Sequence, residues 1–262
     1  MVIGPMQVGE ILDYAFRLYR DNLKNYLSMA GIYMIPALLF TGLAMVIPLM
    51  GEDSIFLAMG TGIGILLLII PMIVLYLAME GGSIKMATQQ VMEQSMGIKE
   101  AYRFGLSKAW PLFAGTFLMG LCVTLGLMLL IIPGIIVAVW FSLYQQVVVL
   151  EGKGASASLS RSKQLVKGNF WRATAVVLVV YLITGTIGQL VAIPFNALGV
   201  LLLGPEVGTL IGNLGSMLIS ALVMPYSFIA TTLLYFDLRA RKEGYDLELM
   251  ADGLTHGDAQ SF

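Results

Sequence analysis

From Ala109 to Leu150 the chain carries no charged residue. That run is too long for one membrane-crossing helix, because about 20 apolar residues rising about 1.5 Å each already traverse a hydrocarbon core of roughly 30 Å. The Ile132-Pro133-Gly134 breaker is therefore expected to divide it into a helical hairpin. Lipid offers the backbone no hydrogen bonds, so a run of this kind folds as helices that satisfy their own amides. Composition agrees. Hydrophobic residues make up 58% and charged residues 12% of the 262, against about 45–50% and about 25% in soluble domains. The expected fold class is all-α, a polytopic membrane helical bundle.

Uncharged stretches mark about six spans, approximately 26–50, 54–79, 109–132, 135–150, 173–193 and 207–236. The arm after Pro133-Gly134 is short, so that turn is expected to dip into the outer leaflet. Pro194 to Pro205 is apolar but too short to cross and reads as a re-entrant or interfacial turn. Before the first span, Val8, Ile11, Leu12, Ala15, Phe16, Tyr19 and Leu23 recur at three-and-four spacing, opposite most of the charges. That pattern is an amphipathic helix, and its charges exclude a secretory signal. Residues 1–250 are expected to form one integral membrane domain, and 251–262 a polar, disordered tail.

All fifteen Lys and Arg fall on one side of this topology, while the other holds only Glu52, Asp53 and Glu206. The positive-inside rule then puts both termini in the cytoplasm. Polar stretches with an aromatic residue precede apolar hairpins three times, at Asn22 to Tyr26, Lys108 to Pro111 and Gly168 to Trp171. Three parallel repeats of surface helix plus hairpin account for this; so does the ordinary recurrence of aromatic and basic residues at membrane entries.

Chemistry is sparse. The single histidine, His256, lies in the tail, and the single cysteine, Cys122, lies in an apolar run. No metal-ligating cluster, hydrolytic pair or cofactor motif is present. Gly60-Thr61-Gly62-Ile63-Gly64 lacks the lysine of a phosphate loop and reads as close helix packing. The net charge of -1 argues against a nucleic-acid partner. The six spans, bounded as above, contain no Asp, Glu, Lys, Arg or His. Their polar candidates are Gln145, Gln146, Gln189, Asn213 and Ser216, for interhelical hydrogen bonding or substrate contact. Pro36, Pro71 and Pro225 read as kinks or hinges. On the cytoplasmic side Lys153, Arg161, Lys163, Lys167 and Arg172 gather close to the bilayer, where they can fix topology or meet anionic headgroups, with Ser158, Ser160 and Ser162 as added donors.

Several strings resemble a known family. Gly9-Glu10-Ile11-Leu12-Asp13, Phe16-Arg17-Leu18-Tyr19-Arg20, Ile131-Ile132-Pro133-Gly134-Ile135, Val149-Leu150-Glu151-Gly152, Ser160 to Gly168 and Tyr235 to Tyr245 look like the bacterial and archaeal membrane domain named for glycerophosphoryl diester phosphodiesterases. The resemblance implies a six-helix bundle in a prokaryotic cell membrane and an association with lipid. The residues after Met250 read as a polar tail, so the activity of the soluble phosphodiesterase fused to the domain in some relatives is not expected to carry over. Three functions stay open: a non-enzymatic module that binds membrane lipids or a protein partner at the cytoplasmic face; a transporter or flippase for a lipid-like amphiphile; and a subunit of a lipid-processing enzyme, with Glu151, Asp237 and Arg239 clustered around a pocket.

Overall fold

The computed structural model describes residues 4–49 and 55–244. The acidic turn Gly51-Glu52-Asp53 and the tail with His256 lie outside the described residues. Among the described residues the chain is helical with no strand. The order is α1 (Val8–Asp21), α2 (Leu23–Leu49), α3 (Ile55–Val91), α4 (Ile98–Ser107), α5 (Ala109–Leu129), α6 (Ile131–Trp140), α7 (Tyr144–Gln146) with a π-helical turn at Val147–Glu151, α8 (Ala155–Val166), α9 (Phe170–Leu203) and α10 (Pro205–Glu243). A short helix followed by a long hairpin therefore occurs three times. Six helical stretches are long and apolar enough to cross a membrane, the fourth being Ile131–Glu151.

Hydrogen bonds show which ends meet. Tyr26 at the start of α2 donates to Gln90 at the end of α3, and Tyr102 of α4 donates to the carbonyl of Met29. Tyr235 near the end of α10 reaches Glu151 at the end of the fourth span, and Arg172 at the start of α9 reaches Asp237. Successive long helices thus run in opposite directions. The described chain ends also meet, since Arg241 donates to the carbonyl of Met6. From there α1 runs alongside α10, and its Tyr19 hydroxyl donates to Leu222 in the turn before Pro225.

The packing is uneven along the bundle. Buried side chains concentrate in the span halves that adjoin the short helices: Tyr26 to Ala30, Leu77 to Val91, Leu143 to Val149, Ala173 to Val180 and Tyr226 to Ala240. The other halves expose Leu66, Leu67, Ile70, Met128 to Ile132, Ile193, Leu201 and Leu202. In lipid such side chains need no protein partner, because hydrocarbon is as apolar as they are. Trp110 and Trp171, at the starts of α5 and α9, are 76% and 81% exposed, as aromatic residues anchored at a membrane–water boundary are.

Three expectations are corrected. The hairpin of the uncharged run turns at Leu130, ahead of Pro133-Gly134. Pro133 falls in the first turn of α6, where its missing N–H would have no helical partner anyway. Both arms then span 21 residues, about 30 Å, and nothing is short. Second, Pro194 to Pro205 is not a separate re-entrant turn. Helix α9 continues through Pro194 to Leu203, reverses at Gly204, whose φ is +84°, and α10 begins with Pro205 at its first position. Third, the second span does not end at Met79. Helix α3 carries on to Val91 through Glu80, the charge that closed the uncharged stretch, and its Gly81-Gly82 pair forms a helix crossing with α4.

That crossing rests on missing side chains. A Cβ at Gly105 of α4 would lie 2.0 Å from the carbonyl oxygen of Ala78, and one at Gly82 would lie 2.7 Å from that of Ala101. Gly120 of α5, in contrast, has nothing within 4 Å of such an atom. Gly105→Val is expected to cost about 1–3 kcal/mol or more through overpacking, seen as a lower melting temperature in mild detergent. Gly120→Val should melt close to the parent; equal melting of both variants would refute the crossing.

Candidate functional site

Span four is discontinuous. Helix α6 ends at Trp140, and the chain turns through Phe141, Ser142 and Leu143 before α7 resumes. A break inside a membrane helix strands backbone polar groups, which must find partners within the protein. Ser162 of α8 supplies them. Its hydroxyl donates to the carbonyl of Trp140 at 2.8 Å and accepts the Leu143 N–H at 3.1 Å. Ser162 and Ser158 are both fully buried, and Ser158 donates to the carbonyl of Lys153. Helix α8 is therefore part of the bundle rather than a helix lying on its surface, and neither serine faces the headgroup region.

A cavity of about 300 Å³ opens at this break. It lies between four candidate spans, with Tyr76 from α3, Ser142 and Gln145 from the fourth span, Tyr181 and Thr184 from α9, and Ser220, Ser227 and Thr231 from α10. No Lys, Arg or His lines it among the described residues. Beyond it a second hollow follows α9 through Gln189, Ala192, Ile193 and Asn196. Gly185 of the cavity and Gln189, Ala192 and Asn196 of the more apolar hollow recur at helical spacing on one side of α9.

Beside the cavity sits Glu80, one turn along α3 from Tyr76 and with no exposed surface. Neither carboxylate oxygen has a hydrogen-bond partner in the protein. Tyr76 of the cavity wall lies four residues before Glu80, on the same side of α3. Ser83, Gln89 and Gln146 also hold a buried oxygen without a partner. The Gln146 amide nitrogen does have one, donating to Thr231 of the cavity wall at 2.8 Å. Most other polar groups nearby are satisfied: Tyr144 and Thr116 share a 2.6 Å hydrogen bond, and Thr184 and Ser227 bond to their own helices.

The charged residues at the other end of the site are paired. On one face of α10, Glu151 takes Lys153, Arg161 and Tyr235, while Glu243 takes Arg161 and Arg239. On the opposite face, fully buried Asp237 accepts from Arg172 at 2.7 Å, from Arg241 at 3.1 Å and from the Met6 N–H at 2.8 Å. Arg161 lies outside the candidate spans. Burial alone would lower its pKa, but its hydrogen bonds to Glu151 and Glu243 outweigh that and raise it, so the guanidinium stays charged.

The residues singled out in the sequence are thus distributed unequally. Lys153, Arg161 and Arg172 are tied to carboxylates; Lys163 lies 4.2 Å from the centre of the Trp140 ring; Lys167 is exposed. Gln145 lines the cavity, Gln146 borders it and Gln189 lines the second hollow. Asn213 is exposed away from both, and Ser216 bonds to Gly212 of its own helix. Glu151 and Arg239 come together, but Asp237 is on the other face of α10, so the three do not surround one pocket. Sequence reasoning missed Glu80, Tyr76, Tyr181, Thr184, Ser227 and Thr231. A signal existed for Glu80: Tyr76, Glu80 and Ser83 fall on one helix face if α3 is read through Gly81-Gly82.

Comparison with known proteins adds a family. The one described as a domain of unknown function, DUF7847, matches residues 101–238. The chain belongs to it. The match begins in α4 and ends in α10, taking in the second and third short-helix-plus-hairpin units and all of the cavity wall except Tyr76. UPF0259 membrane protein PC1_1998 of Pectobacterium carotovorum subsp. carotovorum (strain PC1) is 37% identical over 129 residues, 47% of each chain. This chain therefore spans about half the length of the curated relative it matches. No solved structure matches. With six apolar helices and this relative, the protein is a membrane protein.

Loss of the Ser162 hydroxyl leaves two buried backbone groups unpaired, at about 1–3 kcal/mol each. Ser162→Ala is therefore expected to melt well below the parent in detergent. Ser160→Ala, at an exposed position two residues away, should not. Matching melting curves would show that the break needs no patch.

Proposed function

We propose that this protein is a non-enzymatic lipid-binding protein of a prokaryotic cell membrane, holding the polar group of a lipid-like amphiphile in the cavity at the break of span four. The observation that carries this reading is the cavity itself. Hydroxyl and amide groups from four spans converge on it, and a separate, more apolar hollow lies farther along the same side of α9, where an acyl chain would run. The resemblance to the membrane domain named for glycerophosphoryl diester phosphodiesterases, which rests on the Glu151 to Gly168 and Tyr235 to Tyr245 stretches, points to lipid as well. The pairing of Lys153, Arg161 and Arg172 with carboxylates favours the cavity over the basic surface as the lipid site. Lys163 and Lys167 keep that surface open to anionic headgroups or a protein partner.

Thr184→Leu with Ser227→Leu fills the cavity with apolar volume. Mass spectrometry of lipid co-purified in mild detergent should then show a several-fold loss of one species relative to the parent. A lipid profile identical in parent and double variant would defeat this reading.

Both termini belong on the cytoplasmic side in this proposal, on the strength of the fifteen basic residues gathered there. In a Cys122→Ser background, a cysteine at Lys167 should react with an impermeant maleimide only in inverted vesicles, and one at Glu206 only in intact cells. The reverse labelling would invert the topology.

A transporter or flippase is the second reading. The broken span four favours it, because discontinuous helices line the central sites of many transporters. Lipid movement in reconstituted vesicles that the double variant abolishes would move this reading ahead of static binding.

A further inference from the structure

The unpartnered atoms nearest the cavity are of one kind. Glu80 Oε1 and Oε2, one turn from Tyr76, and Gln146 Oε1, whose amide nitrogen bonds to Thr231 of the wall, are all acceptors. A buried carboxylate left in this state is costly unless a proton or a cation neutralises it. No basic side chain lines the adjoining cavity among the described residues. The wall instead presents hydroxyls and the rings of Tyr76, Tyr181 and Phe228, and aromatic faces attract cations. Tyr76 is one helical turn from Glu80 on α3. An anionic headgroup placed there would meet a negative field with no counter-charge. A positively charged one would meet a carboxylate, aromatic rings and hydroxyl acceptors in a low-dielectric setting that strengthens the attraction.

We propose that the cavity selects an ammonium-bearing amphiphile and that Glu80 supplies the counter-charge. This rests on the cavity reading above and adds the charge of the occupant to it. Glu80 is not part of the lining and sits one turn beyond Tyr76 of the wall, so its contribution is electrostatic and is lost on conversion to the amide.

The test uses the full chain in nanodiscs and probes that share a twelve-carbon tail: dodecyltrimethylammonium, dodecylphosphocholine, dodecyl maltoside and dodecyl phosphate. The parent should bind the trimethylammonium probe most tightly and the phosphate most weakly. The phosphocholine arm shows whether an ammonium next to a phosphate is accepted. Glu80→Gln should weaken the trimethylammonium probe about tenfold, the change that removing one nearby charge produces at roughly 1.4 kcal/mol, and leave the maltoside unchanged. Equal loss of both probes, or no loss of either, would overturn the role of Glu80. Should Glu80→Gln fail to fold, the headgroup ranking of the parent decides alone: maltoside or phosphate bound as tightly as trimethylammonium ends the proposal. Thr184→Leu separates the two levels. If Glu80→Gln is silent while Thr184→Leu abolishes binding, the cavity reading survives without its charge preference. If Thr184→Leu changes no probe, the cavity reading itself fails.

Discussion

Asp237 is the point at which the chain closes on itself. Its carboxylate, without exposed surface, is shared by Arg172 at the start of α9, Arg241 one turn along α10 and the backbone N–H of Met6 ahead of α1. Two guanidiniums and an amide neutralise and ligate one carboxylate, which is what a charge removed from water requires. Removing a partner from a buried charge of this kind is costly, whereas the part-exposed Arg172 and Arg241 keep some access to water. The consequences are topological as well as energetic. The clamp fixes α1 against α10, sets the start of α9 beside the end of α10, and so gives the last hairpin its register. That hairpin supplies Tyr181, Thr184, Ser227 and Thr231 to the cavity wall.

The uneven core follows from the same arrangement. Where short helices α1, α4 and α8 meet the long ones, protein contacts protein, and Tyr26, Met29, Leu143, Tyr235 and Phe236 are buried. Farther along, lipid is an adequate partner, and the spans need not pack closely. The broken fourth span lies where these regimes meet. Its Leu143 is fully buried while the Ser142 beside it lines the cavity, so the break is supported from one side by Ser162 and open on the other. A single hydroxyl on α8 thereby holds the backbone geometry that aims Ser142 and Gln145 into the hollow.

How much of this was legible in the sequence depended on which physical rule each residue obeyed. The absence of charge from Ala109 to Leu150 can mean little except membrane crossing, so the six-span helical bundle was readable from hydropathy alone. Boundaries were less so. Gly81-Gly82 and Pro194 look like breakers by local propensity. In a helix bundle, however, glycine also permits close crossings, and proline is accommodated by neighbouring groups. The criterion of uncharged stretches itself cut α3 one residue before Glu80 and so left an ionisable group of the helix outside the span. Gln145, Gln146 and Gln189 were found because they are polar within apolar runs. Ser162 was noted, but as a surface donor, since nothing in the one-dimensional string ties it to Trp140 and Leu143. The pairing of Arg161 and Arg172 was equally invisible: their partners Glu243 and Asp237 lie far along the chain.

The remaining asymmetry separates Glu80 from the other two internal carboxylates. Glu151 has Lys153, Arg161 and Tyr235, and Asp237 has Arg172, Arg241 and Met6. The fold therefore has the means to satisfy a carboxylate and uses it twice. At Glu80 it provides none, although a glutamine or leucine of similar size would pack there without the desolvation penalty of a charge. Gln146 repeats the pattern on a smaller scale, its nitrogen bonded to Thr231 and its oxygen left over. Acceptors without donors thus border one side of a cavity whose other walls are hydroxyls and aromatic rings. Hydrogen bonding within the protein gives no reason for a carboxyl in that position; a positively charged occupant would.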